Sequence, residues 1–207
     1  MRKVFLDCGA HNGCSVQMFC SAYPDYLDYE IYSFECDEGR FNQLVQKGSE
    51  LALTNFYPSK KAIWISNGKK VFNGWQLQNT YEEDDSRGVD SLDLSQFILD
   101  NFSKDDYIIL KMDIEGAEYQ VVNKMHHDGS LSYISKFYGE LHGPKKGYSV
   151  KDNDILLQQV WKSGIKLLNW DALEGSFKEI EIVPIGTPGS YTNSSTPRVG
   201  HAYKKYE

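Results

Sequence analysis

Glycines and a carboxylate near the start of the chain are spaced as in sites that hold a nucleoside. An apolar run at residues 4–6 leads through Asp7 into Gly9 and Gly13. This pattern predicts a buried strand, a tight turn and a helix start, whose free N–H groups face whatever lies above the strand. Glu35 ends the next apolar segment, at the separation where a carboxylate meets ribose hydroxyls. Together these residues predict a site for a nucleotide-type ligand.

The glycine spacing narrows the class of ligand. Gly9 and Gly13 form a G-x-x-x-G pattern, which differs from the G-x-G-x-x-G pattern of dinucleotide sites. There is no third glycine to accompany a diphosphate. The spacing therefore favours a nucleoside without a diphosphate over NAD. The alternative is a glycine-containing turn that binds nothing.

Acidic and imidazole side chains follow two later apolar segments. Asp113 comes just after the run at residues 107–110, and Glu140 and His142 lie near the end of the run at 134–141. A carboxylate in such a place can orient a hydroxyl, take its proton or hold a divalent cation. An imidazole can accept a proton near neutral pH. These three side chains form the predicted catalytic set, and a metal requirement stays open.

Two further carboxylates, Glu115 and Glu118, follow Asp113 closely. They stand at the predicted start of a helix, where the helix dipole favours negative charge. Helix capping accounts for at least part of their presence, so they are not placed in the catalytic set.

The elements that must position these residues alternate along the chain. Strands are predicted at residues 4–6, 30–34, 55–57, 62–65, 70–72, 107–110, 134–141, 165–170, 177–183 and 201–206, and helices at 16–23, 40–47, 91–102, 119–127 and 154–163. This alternation predicts an α/β fold with a mostly parallel sheet and helices on both faces. Ligands bind beyond the carboxyl ends of such strands. We therefore expect residues 7–13, 35–37, 113–115 and 140–142 to meet at one edge.

Three local signals add detail to this order. Asn67-Gly68 lies between two β-prone runs and predicts a hairpin that joins strands 62–65 and 70–72. Gly48 is predicted to close the second helix. The acidic residues 82–85 predict an exposed loop, and a lid over the acceptor is the alternative.

Length and charge limit the class of protein. The 207 residues suffice for one well-buried domain, and we expect a single domain over residues 1–207. No apolar run approaches the roughly 20 residues of a membrane helix. The net charge of −7 argues against nucleic acid as the main partner. We expect a small-molecule or glycan acceptor, with neither nucleic acid nor a membrane as a partner, and the sequence leaves the oligomeric state open.

All four cysteines, Cys8, Cys14, Cys20 and Cys36, lie near the start of the chain. Their spacing lacks the paired C-x-x-C of a zinc site, and no secretory signal precedes them. We expect reduced thiols and a cytoplasmic location.

Three stretches resemble the hallmark motifs of the FkbM-type methyltransferases. They are FLDCGAHNGCS, SFECD and KMDIEGAE, in that order. The resemblance covers about residues 4–143, and KMDIEGAE is its most specific part. It implies S-adenosylmethionine as the cofactor and the Rossmann-like class I methyltransferase fold.

The resemblance also assigns roles to individual residues. It implies that the methionine part of the cofactor is lined by Asp7, Gly9, His11, Asn12, Gly13 and Ser15. It implies that Glu35 accepts hydrogen bonds from both ribose hydroxyls. Cys36 and Asp37 would flank the adenosine, and Lys61 and Ala62 would lie near the adenine.

The activity that the resemblance implies is O-methyl transfer to a sugar, a glycan or another small molecule. Asp113, Glu140 and His142 would then stand at the acceptor hydroxyl, with or without a divalent metal. Two other classes remain open. One is a nucleotide-dependent oxidoreductase on the same fold, and the other is a catalytically silent module that keeps the cofactor pocket.

Overall fold

The computed structural model describes residues 1–73, 76–79, 88–143, 147–170, 177 and 179–184. Within these residues the chain forms eleven strands and five α-helices, besides short 3-10 turns. The strands are β1 (Lys3–Cys8), β2 (Tyr29–Phe34), β3 (Phe56–Ser59), β4 (Ala62–Trp64), β5 (Gly68–Asn73), β6 (Gln76–Asn79), β7 (Gly88–Asp93), β8 (Tyr107–Met112), β9 (Ile134–Gly139), β10 (Leu167–Asn169) and β11 (Glu181–Ile182). The helices are α1 (Cys14–Ala22), α2 (Glu38–Glu50), α3 (Leu94–Asn101), α4 (Glu118–Asp128) and α5 (Val150–Lys162).

The larger sheet has seven strands in the order β11-β10-β9-β8-β1-β2-β3. Neighbouring strands are parallel except for the pair β10 and β11. β8 is the central strand, and β1 lies between β8 and β2, with Leu6 opposite Tyr32 of β2 and Leu110 of β8. The mostly parallel α/β sheet of a Rossmann-like fold is therefore confirmed.

Two hydrophobic cores lie on opposite faces of this sheet, because successive side chains of a strand point to opposite sides. In β1, Val4 and Leu6 belong to a core with buried side chains of α3, α4 and α5. Phe5 belongs to a second core with side chains of α1 and α2. Phe5 stacks on Phe19 of α1, with the ring centroids 4.1 Å apart. Helices cover both faces, as predicted.

The smaller sheet has the order β4-β7-β5-β6, so β7 separates β4 from β5. The prediction from Asn67-Gly68 that these two strands form a hairpin is therefore wrong. The Ser91 hydroxyl of β7 lies 2.8 and 2.9 Å from the carbonyl oxygens of Ser66 and Gly68. The Asp93 N–H donates to the Asn67 side chain at 3.1 Å. These bonds hold β7 against residues 66–68, which follow β4. As a result β7, and not β5, pairs with β4.

Several helix bounds also differ from the prediction, and for two of them the structure shows the reason. α2 continues past Gly48, whose missing side chain makes room for the ring of Phe56 in β3. This glycine serves packing and does not end the helix. α3 begins later than predicted, because the Asp93 side chain accepts the Gln96 N–H at 3.1 Å and caps the helix there. Residues 91–93 belong to β7 instead.

The remaining predictions fall near the end of the chain or outside the described residues. The strand predicted at 165–170 is limited to β10, and the one at 177–183 to β11. The acidic residues 82–85 and the predicted strand at 201–206 lie outside the described residues. None of the helices in the described part of the chain is long and apolar enough to cross a bilayer.

The carboxyl ends of β1 and β8 approach each other closely at Gly9. The Asp113 N–H donates to the Cys8 carbonyl at 3.0 Å. Gly9 has a φ of 79°, and a Cβ atom there would overlap the carbonyl oxygen of Asp113. A glycine is required because the opposing atom is backbone and cannot move aside as a flexible side chain can.

We predict that Gly9→Ala costs about 1–3 kcal/mol more unfolding free energy than Gly129→Ala, which is the usual cost of forcing extra atoms into a packed interior. Gly129 is a matched control, because its φ is 81° and nothing lies within 4 Å of a Cβ built on it. Urea unfolding of both variants measures the difference. Equal losses for the two variants would contradict a steric requirement at Gly9.

Candidate active site

The stretches that were expected at one edge of the sheet do meet there. β9, β8, β1 and β2 are adjacent and parallel, so their carboxyl ends lie side by side. A cavity of about 680 Å³ opens above the ends of β1, β2 and β8. Residues 60–63 and 88–90, which belong to or adjoin the smaller sheet, form its far wall.

The glycine turn after β1 is held against the end of β2. The N–H groups of Gly9 and Ala10 both donate to the Phe34 carbonyl, at 3.1 and 2.9 Å. His11 has a φ of 52°, and Gly13 has a φ of 85° where it precedes α1. The turn therefore adopts backbone angles that only glycine and a few other residues take readily, as its sequence predicts.

Glu35 is fixed by backbone donors at the cavity wall. Its Oε2 accepts the His11 N–H at 2.9 Å, and its Oε1 accepts the Asp37 N–H at 2.8 Å. The residue is 7% exposed and lines the cavity. A carboxylate offers about four acceptor positions, so these two bonds orient Glu35 and leave capacity for two further donors.

The structure divides the predicted site residues into two groups. Those that line the cavity are Gly9, His11, Glu35, Cys36, Asp37, Lys61, Ala62 and Asp113. Those that do not line it are Asp7, Asn12, Gly13, Ser15, Glu140 and His142. Burial raises the pKa of the Cys36 thiol to about 12, so this cysteine contributes a protonated, weakly polar surface.

Asp7 and Ser15 lie beneath the turn and bond to each other. The Ser15 hydroxyl donates to Asp7 Oδ2 at 2.5 Å, and both residues are buried. Lys111 Nζ lies 3.3 Å from Asp7 Oδ1 and donates to the Gly9 carbonyl at 2.6 Å. Asp7 thus anchors a buried cation that binds the turn from below, and its predicted contact with the cofactor stays a prediction.

Asn12 and Gly13 make structural contacts at the start of α1. The Asn12 side chain accepts the Cys14 N–H at 3.3 Å. A Cβ on Gly13 would lie 2.8 Å from the Cβ of Lys47 in α2, so Gly13 allows α1 and α2 to pack closely. A direct contact of either residue with a cofactor stays a prediction.

Four carboxylates surround His142 at the end of β9. Its Nδ1 lies 3.0 Å from Glu118 Oε1. Its Nε2 lies 3.5 Å from Asp113 Oδ1, and 3.8 and 3.9 Å from oxygens of Glu140 and Glu115. The predicted catalytic residues Asp113, Glu140 and His142 are therefore neighbours in the structure.

The charge of His142 follows from these neighbours. Burial alone would lower the pKa of the imidazole, but the Glu118 hydrogen bond and the charges of Glu118, Asp113 and Glu140 raise it to about 9. Without a ligand, His142 is therefore an imidazolium at neutral pH. At neutral pH it can accept a proton only after it has lost its own, which requires another positive charge nearby that lowers its pKa.

Glu118 has a larger role than the sequence indicated. Its carboxylate accepts the N–H groups of Ile114 and Gly116 at 2.8 and 2.7 Å, in addition to its bond to His142. It thus caps the turn before α4, as expected, and also orients the imidazole. Glu115, which has a φ of 58°, lines the cavity beside Asp113.

Lys111 was also missed as a site residue. It is 2% exposed and lies 3.9 Å from Asp113 Oδ2. Its pKa is raised, because the negative charges of Asp7 and Asp113 outweigh the loss of solvation. A lysine next to a continuous apolar run is the signal that would have marked it, since a buried ammonium needs a partner.

The cavity lies at the carboxyl ends of a mostly parallel sheet, which is where α/β proteins of this architecture bind their ligands. The sequence profile described as "Methyltransferase FkbM domain" matches residues 7–160. The chain therefore belongs to the FkbM methyltransferase family, and it is a methyltransferase by that membership. No curated protein and no solved structure gives a significant match.

We predict that Glu118→Gln lowers the pKa of His142 from about 9, because it removes the nearest negative charge. The pKa is to be measured by NMR titration of the imidazole in protein free of added cofactor and metal ions. The folded pKa exceeds the ordinary value of 6.5, so the stabilisation is complete below pH 6.5 and is lost as the pH rises towards 9. The unfolding free energy should decline less over this interval in Glu118→Gln. A His142 that titrates near 6.5 in the wild type would contradict this electrostatic account.

Proposed function

We propose that the protein is an S-adenosylmethionine-dependent O-methyltransferase that acts on a hydroxyl of a sugar, a glycan or another small molecule. The observation that carries this proposal is the position of Glu35, whose carboxylate is held by two backbone N–H groups in the wall of the cavity. Asp113 lines the same cavity at the end of β8. Membership of the FkbM family supports methyl transfer as the reaction.

The donor and acceptor groups of the cavity suit this cofactor. Glu35 keeps two acceptor positions for the ribose hydroxyls, while the Gly9–His11 turn allows close approach of the methionine part. The volume of about 680 Å³ falls within the range of about 300–1,000 Å³ for small-molecule sites. Asp113 and Glu115 give the wall negative charge, which suits a sulfonium cation.

Two groups of residues that the resemblance assigns to the cofactor have different places in this proposal. Cys36, Asp37 and Ala62 lie in the cavity wall, on the side of Glu35 that would face the adenosine. Asp7 and Ser15 support the turn from below through Lys111. We therefore propose direct contact for the first group and a positioning role for the second.

The cofactor supplies an activated methyl group on a positively charged sulfur. With that cofactor bound, the acceptor oxygen would form the new O–C bond as the C–S bond breaks, the bonding electrons would stay on sulfur, and the hydroxyl proton would have to leave. Asp113, Glu140 and His142 orient this hydroxyl and supply the base that takes its proton. The positive sulfonium opposes the imidazolium form of His142, so cofactor binding would favour proton release from it.

The nature of the acceptor and the cellular location complete the proposal. The net charge of −7 favours a neutral or cationic small molecule or glycan over a nucleic acid. All four cysteines are free thiols, as suits a reducing compartment such as the cytoplasm.

Glu35→Gln should weaken the binding of S-adenosylmethionine by about 10- to 100-fold, because a charge-assisted hydrogen bond contributes about 1.5–3 kcal/mol. Isothermal titration calorimetry measures the dissociation constant. Glu50→Gln is the control, since it removes the same charge from α2 at a site outside the cavity wall. Binding of NAD with no binding of S-adenosylmethionine by the wild type would favour an oxidoreductase instead.

Asp113→Asn should lower the rate of methyl transfer by about 100-fold or more, since general acid–base groups contribute about that much. The assay follows transfer of a labelled methyl group to a panel of sugars, oligosaccharides and simple alcohols. Cofactor affinity, measured separately, should change by less than tenfold. Unchanged turnover in Asp113→Asn would remove this residue from the reaction, and binding without turnover on any acceptor would favour a silent module.

A further inference from the structure

We propose that Asp113, Glu115 and His142 form a binding site for one divalent transition-metal ion, which holds the acceptor's oxygens beside the cofactor. This inference rests on the proposed function for the acceptor, but the ion site stands on its own geometry. One ligand atom from each of the three side chains lies within 4.8 Å of the others.

The distances between these atoms suit a common metal ion. His142 Nε2 lies 3.5 Å from Asp113 Oδ1 and 3.9 Å from Glu115 Oε2. Ligands that each lie about 2.1 Å from a metal are separated by about 3.0 to 4.2 Å as the angle at the metal widens from 90° to 180°. The observed separations fall within this interval. They are also too long for good hydrogen bonds.

The buried imidazole distinguishes this group from an ordinary acidic surface cluster. The His142 side chain is 7% exposed, and its Nδ1 is engaged by Glu118, so Nε2 is the atom directed at the other carboxylates. Histidines that bind metals usually bond a carboxylate through the other ring nitrogen, which fixes the ring and the tautomer. Glu118 is 2% exposed and is itself held by two backbone N–H groups. Glu118 therefore holds His142 in the way that a carboxylate outside the coordination sphere holds a metal-binding histidine.

Glu118 differs in its role from the other carboxylates around His142. Its two oxygens are occupied by the N–H groups of Ile114 and Gly116 and by His142 Nδ1, so it orients the site without binding the ion. Glu140 Oε1 lies 3.8 Å from His142 Nε2, at the end of β9 and away from the cavity wall. Glu140 is therefore not counted among the ligands of the ion.

The negative charge at this site favours a dication. Four carboxylates lie within 3.9 Å of the His142 ring nitrogens. A dication between Asp113 and Glu115 would be attracted by these carboxylates, and it would face the cavity that both of these residues line.

The donor set indicates the kind of ion and acceptor. One imidazole with two carboxylates suits Mn²⁺, Fe²⁺ or Zn²⁺ better than Mg²⁺, which prefers oxygen ligands alone. Three protein ligands leave coordination positions open. Acceptors with two adjacent oxygen groups, such as the vicinal hydroxyls of a sugar, can fill two of these positions at once. The site therefore favours a chelating diol over an isolated alcohol.

The test uses the full chain and Mn²⁺ as the probe, with the free ion followed by electron paramagnetic resonance. The wild type should remove one equivalent of Mn²⁺ from the free signal, and excess Mg²⁺ should not displace it. Glu115→Gln and His142→Gln should each weaken Mn²⁺ binding at least about tenfold. Glu38→Gln removes a carboxylate from another part of the same cavity wall and should leave Mn²⁺ binding unchanged. Circular dichroism confirms that each variant is folded.

Absence of Mn²⁺ binding by the wild type, or equal binding by wild type, Glu115→Gln and His142→Gln, would overturn the metal site. Methyl transfer that continues in the presence of a chelator would overturn the proposed role of the ion in holding the acceptor, but it would leave the methyltransferase proposal intact. Mn²⁺ binding without methyl transfer on any acceptor would overturn the proposed function and not the ion site. In Glu140→Gln, Mn²⁺ binding should persist, and loss of binding there would overturn the choice of Asp113, Glu115 and His142 as the ligand set.

Discussion

The close approach of β1 and β8 at their carboxyl ends is the constraint on which the rest of the site depends. Because Gly9 has no side chain, the Asp113 backbone passes directly against it, and the Asp113 N–H bonds the Cys8 carbonyl. This contact places the glycine turn and the acidic end of β8 on the same cavity. A wider gap would separate the groups that are proposed to bind the nucleoside from those that are proposed to meet the acceptor.

A buried cation holds this junction together electrostatically. Lys111 lies between Asp7 and Asp113 and donates to the Gly9 carbonyl, with its ammonium 5.2 Å from the centre of the Trp170 ring. A buried ammonium is costly unless it is paired, and these partners compensate it. Removing one partner from such a buried pair typically costs about 3–5 kcal/mol. The same lysine thus stabilises the turn and moderates the negative charge beside Asp113.

The sequence predicts the main features of the fold because they follow from apolar periodicity. The buried runs of β1 and β8 and the one-sided helices are sufficient to predict a parallel sheet covered on both faces. The place of β7 was not predictable, because it depends on bonds from Ser91 and Asp93 to the distant residues 66–68. Local turn signals such as Asn67-Gly68 contain no information about a strand that comes later in the chain.

The cavity and the pairing of its residues were predictable to different extents. Strand ends are recognisable in sequence, so Glu35, Asp113 and His142 were placed at one edge of the sheet. For Glu118 the sequence indicated only a helix-capping role, because its bond to His142 joins residues 24 positions apart. The burial of Asp7 beneath the turn likewise depends on Lys111, which is supplied by a different strand.

A crystal structure with S-adenosylhomocysteine tests the central claim most directly, namely that one cavity above Gly9 holds the cofactor between Glu35 and Asp113. The account predicts electron density for the ligand in this cavity, with both ribose hydroxyls within hydrogen-bond distance of Glu35 and the sulfur directed towards Asp113. A ligand bound elsewhere, or one with its ribose away from Glu35, would contradict it.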